Sequence, residues 1–167
     1  MAAVVLTACG GEERDSGAEA KGKGRAAVAA DRAAAAREAV RADIRAAVDA
    51  GDFEPLRFIG ADNLLDGSGC EVGALVRVGT EPDPEAVADV VAELKDRGWR
   101  QRRRNSGGVN DAWSLERRGW MLNFVAGTVS EKAVSFGPAT DDRPFQGLVF
   151  RGLGEGTCSA PSATASP

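Results

Sequence analysis

The chain has 167 residues, 43% of them apolar and 28% charged, with a formal net charge of −4. That length holds one domain with a real core and hardly two. The balance of charge argues against a nucleic-acid-coating protein. The lack of any apolar run of about 18 residues argues against a membrane-spanning helix. The absence of histidine excludes Ser–His and Cys–His catalysis and every His-containing metal site.

The chain opens Met1-Ala2-Ala3-Val4-Val5-Leu6-Thr7-Ala8-Cys9, followed by Gly10-Gly11. An apolar run thus ends in Leu6-Thr7-Ala8-Cys9. This resembles the lipobox of bacterial lipoproteins, a Leu and two small residues before the cysteine that is acylated. A thiolate is the natural nucleophile to carry a thioether-linked diacylglycerol. Small residues before it let a peptidase approach the backbone. The resemblance implies that residues 1–8 are the end of a signal peptide and that Cys9 bears diacylglycerol and an N-acyl chain. It also implies a location on the outer face of the cell membrane. No Lys or Arg precedes Cys9, so a charged n-region is expected upstream of a start site placed too late.

Residues 9–25 carry Gly, Glu, Lys, Asp and Ser and little that is apolar, a composition predicting a flexible tether. Residues 159–167, Ser-Ala-Pro-Ser-Ala-Thr-Ala-Ser-Pro, read as a disordered polar tail. Between them, residues 26–158 form the predicted domain. With Cys9 acylated, Cys70 and Cys158 remain, and an exported chain lives where disulfides persist. Pairing them leaves no orphan thiol. It closes a loop across most of the domain, worth about 4–5 kcal/mol on a chain-entropy argument. The alternative is two unrelated thiols.

Ala26 to Ala50 predicts a helix. Ala is the best helix former, neither Pro nor Gly intervenes before Gly51, and Val40, Ile44, Ala47 and Val48 form a stripe. Asp52 to Gly69 reads as a connector whose Phe53, Leu56, Phe58 and Ile59 cover a core edge, with a turn at Asp66-Gly67-Ser68-Gly69. Glu71 to Thr80 predicts a strand with Val72, Ala74, Val76 and Val78 on one face. Asp83 as N-cap and Pro84 at the first helical position open a helix that runs to Arg97, with Val87, Val90, Val91 and Leu94 inward and Gly98 as its stop.

From Trp99 the period falls to two. Strands are predicted at 99–105, 112–117, 120–125 and 145–151, with a further candidate at 129–136. The first three form an antiparallel meander. The fold class is therefore α+β, a single domain with four to five antiparallel strands and two helices on one face. The succession of Cys70 opening a strand, Pro82-Asp83-Pro84 opening a helix, Leu94 to Trp99 closing it, then Trp113-Ser-Leu and Gly119-Trp120-Met-Leu resembles small uncharacterised lipoproteins of actinobacteria. That resemblance covers about a third of the chain. It implies an envelope location and the same layout, and it transfers no catalytic or binding residue.

Candidate chemistry is sparse. No catalytic residue, metal ligand or non-covalent cofactor is expected. Asp141-Asp142 reads as a solvated loop, and Glu81, Asp83 and Glu85 read as a helix start. The unusual feature is basic. Residues 99–119 carry Arg100, Arg102, Arg103, Arg104, Arg117 and Arg118 against Asp111 and Glu116. Such a patch suits anionic headgroups or an acidic wall polymer. The alternative is an edge strand kept from aggregating by charge. Taken together, the sequence favours a lipid-anchored, non-enzymatic module that binds an envelope protein, anionic lipid or wall polymer, and not nucleic acid. Two other readings stay open: a carboxylate- or metal-dependent envelope enzyme, and an accessory subunit of a membrane complex.

Overall fold

A computed structural model describes residues 17–59, 70–130 and 143–154, with side chains from residue 27 onward. Two helices lie on one face of a six-stranded, wholly antiparallel sheet. The elements are α1 (Gly17–Ala50), β1 (Leu56–Ile59), β2 (Glu71–Val78), α2 (Pro84–Asp96), β3 (Arg100–Asn105), β4 (Asn110–Arg117), β5 (Trp120–Ser130) and β6 (Pro144–Gly154). The strand order is β1-β2-β6-β5-β4-β3, so β1 and β3 are the edges. The fold is the α+β domain that the patterning predicts, with six strands in place of four to five.

The inward faces match the apolar periodicity. Val40, Ile44, Ala47 and Val48 of α1 and Val87, Val90, Val91 and Leu94 of α2 are buried together with Val72, Ala74 and Val76 of β2. Leu115, Leu122, Phe124, Leu148 and Phe150 complete that layer. On the opposite face, a small cluster of Leu75, Val129 and Val149 packs with Ile59, Val125 and Phe145. No helix residue belongs to it.

Local chemistry explains the ends of α2. The Ala86 N–H donates to the Asp83 carboxylate at 3.4 Å, and Pro84 follows the cap, where its missing N–H costs nothing. At the other end Gly98 takes a φ of +89°, a region that side chains avoid, and Trp99 N–H returns to Leu94 O at 3.0 Å. The turn from β4 to β5 is Arg118-Gly119, both at positive φ, 48° and 77°. This is the two-residue hairpin connection whose twist suits the flanking strands.

Three expectations are corrected. The helix begins at Gly17, not at Ala26, so residues 17–25 of the predicted tether are helical. Gly22 and Gly24 each cost about 1 kcal/mol relative to Ala. Once the Ala-rich stretch downstream has nucleated the helix, though, each added residue gains a hydrogen bond at little further cost. The connector contains β1, which pairs with β2 from Leu56↔Val76 to Ile59↔Gly73. The candidate strand at 129–136 does not begin as a separate element, because Val129 and Ser130 are the end of β5. Residues 131–136, the turn at 66–69, Asp141-Asp142, Cys9, Cys158 and the tail at 159–167 lie outside the described residues.

Candidate binding surface

The six arginines singled out by the sequence do not form one cluster. Pairing in the β3–β4 ladder sorts them by face. Gln101 sits opposite Leu115 and Arg104 opposite Trp113, on the helix side. Arg100 sits opposite Glu116 and Arg103 opposite Ser114, on the helix-free side. A bulge between Gln101 and Arg103 inserts Arg102, which lets three arginines share that side. A bulge is also a known means of twisting an edge away from unwanted pairing.

Their partners differ as well. Glu116 receives both Arg102, at 2.5 Å, and Arg100, at 3.8 Å. Arg104 lies 3.4 Å from Asp111 and 5.5 Å from the centre of the Trp113 ring. Arg103 and Arg118 make no ion pair among the described residues. All six residues of β3 are exposed, so these pairs are solvated and individually weak.

Arg117 belongs elsewhere. It points to the helix side and binds the carboxylate of Asp43 on α1, which is 6% exposed. Asp43 also accepts the Trp99 indole N–H at 3.0 Å and lies 3.5 Å from Arg97. The Arg97 pKa is raised above its ordinary value, chiefly by its hydrogen bond to Glu93, with burial opposing and Asp43 adding. This network ties α1, the end of α2 and β4 together. The structure thus sets Arg117 apart from the arginines of β3, on the helix side and paired with Asp43. The partner that claims it stands 74 residues away in sequence, so no local pattern could have shown it.

Sequence reasoning missed the groove beside the arginines. A cavity of about 400 Å³ opens between α2 and the β3–β4 hairpin. Val87 and Val91 of α2 form one wall, Trp113 and Ala126 the floor, and Gln101 and Arg104 the other wall. Val109 stands at its rim, 79% exposed. Lys95, Glu81 and Asp111 add charges of both signs to the lining. Gly127 in the lining has a φ of +131°, and a Cβ there would meet Asn110 Oδ1 at 2.5 Å and Val109 O at 2.8 Å.

Cys70 is buried at the start of β2. Among the described residues, no group of three His, Cys, Asp or Glu could hold a metal, and no helix is long and apolar enough to cross a membrane.

No protein-family model and no curated protein matches the chain. Among solved structures the chain is similar to LppA of Mycobacterium tuberculosis, a protein described as a lipoprotein, at 11% identity and a TM-score of 0.35, over 92% of this chain and 100% of that one. A likeness of that size carries neither fold nor function across.

Proposed function

We propose that this chain is a lipid-anchored protein of the bacterial cell envelope, and that its domain is a non-enzymatic module binding an anionic ligand along β3. The observation that carries the binding role is the exposure of the whole strand Arg-Gln-Arg-Arg-Arg-Asn at a sheet edge. Arg103 there has no ion-pair partner among the described residues. Guanidinium groups suit carboxylate and phosphate because their planar fork offers two parallel N–H donors.

The anchoring role rests on Leu6-Thr7-Ala8-Cys9. Two acyl signals hold a protein to a bilayer where one does not. Helix α1 starts eight residues beyond Cys9, and its 34 residues span about 50 Å. Under this reading α1 works as a stiff spacer more than as a slack tether. Pairing of Cys70 with Cys158 belongs to the same proposal. Gly154 N–H donates to Cys70 O at 2.8 Å, so β6 ends beside Cys70. Four further residues, about 13 Å of extended chain, reach Cys158.

Polyphosphate binding by the full chain carrying Cys9→Ser, followed by titration at low salt, tests the binding role. Arg103→Glu removes no ion pair among the described residues and is expected to weaken binding about tenfold, or about 1.4 kcal/mol, with unchanged thermal unfolding. Binding that is absent in the parent, or equal in both proteins, refutes the role of the arginine edge.

A further inference from the structure

β3 pairs with β4 on one side and with no described strand on the other. Away from the bulge at Arg102, its outer N–H and C=O groups meet no described strand and can take a further one. Four arginines along six residues repel the β3 of a second copy, so self-pairing is disfavoured and an acidic chain is selected. An added strand would lie about 4.8 Å beyond β3. Its side chains would then alternate between the two faces that β3 itself separates. One set would meet Arg100, Arg102 and Arg103. The other would pass over Gln101 and Arg104 at the mouth of the groove floored by Trp113.

From this arrangement we infer that the occupant is an extended segment of a partner protein, alternating acidic and apolar residues, which adds to the sheet beside β3. The inference rests on the proposed role of the arginine edge and names its partner class. Carboxylates of the segment pair with the arginines on the helix-free face. Apolar side chains of the segment enter the groove between β3 and α2, against Val91 and the exposed Val109. A membrane surface or a flexible polyanion would engage the arginines alone. It would leave the backbone edge and the groove unused.

The experiment uses the full chain carrying Cys9→Ser and a short peptide alternating Asp with Leu. Two further peptides carry backbone N-methyl groups on one or the other alternate set of residues. Strand addition predicts that one methylated peptide loses about tenfold or more in affinity while the other binds like the parent, since only one set of N–H groups faces β3. Ala92→Trp fills the groove from an exposed position on α2. It is expected to weaken the parent peptide several-fold and to leave polyphosphate binding unchanged. If both methylated peptides bind like the parent, or if Ala92→Trp changes nothing, strand addition is overturned. In that case polyphosphate binding sensitive to Arg103→Glu leaves the anion-binding role standing. Loss of both peptide and polyphosphate binding overturns the two together.

Discussion

Phe124→Ala is expected to remove about 3–5 kcal/mol of stability. Phe124 is fully buried at the middle of β5. Its ring stacks on Trp113, with centroids 4.8 Å apart, and on Phe150, at 4.7 Å. Those three rings run across β4, β5 and β6 and form the middle of the layer beneath the helices. Truncation leaves a void that the flanking rings cannot fill without leaving their own strands, so the cavity cost adds to the lost burial. Each stacked pair contributes roughly another 0.5–1.5 kcal/mol beyond area. Domains of this size have only about 5–15 kcal/mol in hand. Urea unfolding of the oxidised protein measures the effect. A loss below about 1 kcal/mol would mean that this layer is not the core.

Asp43→Ala is expected to cost about 2–3 kcal/mol, by a different mechanism. The carboxylate sits between Trp99, Arg117 and Arg97. Without it the indole N–H of Trp99, a residue 2% exposed, loses its acceptor, and Arg117 loses its counter-charge. Arg97 contributes less, because it is 37% exposed and keeps Glu93. Asp43→Asn retains an acceptor for Trp99 and should cost about half as much. The double variant Asp43→Leu, Arg117→Met removes both charges and should recover most of the loss. Equal destabilisation by the single and double variants would show that the charge pair is not the cause.

Much of the fold is legible in the sequence, because each buried stripe follows from local periodicity. Asp83-Pro84 and Gly98 bracket α2 to within a residue of its observed end. Alternation through Trp120, Leu122 and Phe124 places β5 on the correct face. What escaped depends on distant partners. β1 has only four residues, and only its ladder with β2 marks Leu56–Ile59 as a strand. β5 continues past Gly127, where glycine suggests a stop, because β6 pairs with it as far as Ser130↔Pro144. The N-terminal turns of α1 contain Gly22 and Gly24, which argue against helix locally.

The candidate site divides in the same way. Arg100 to Arg104 are visible as a run of charge, and their exposure follows from having no apolar residue to bury. The groove is not visible, since it exists only where α2 lies across the β3–β4 hairpin. Nor is the separation of Arg117 from the others, which follows from its pairing opposite Trp120 on the helix side with Asp43 above.

The address and the chemistry proposed for this chain meet at its cysteines. Intact-mass and peptide analysis of the protein from its native membrane fraction is therefore the most direct measurement. The expected result is a mature chain beginning at an acylated Cys9, with Cys70 joined to Cys158. An unmodified Cys9 in a soluble chain, with Cys70 and Cys158 both reduced, would contradict it.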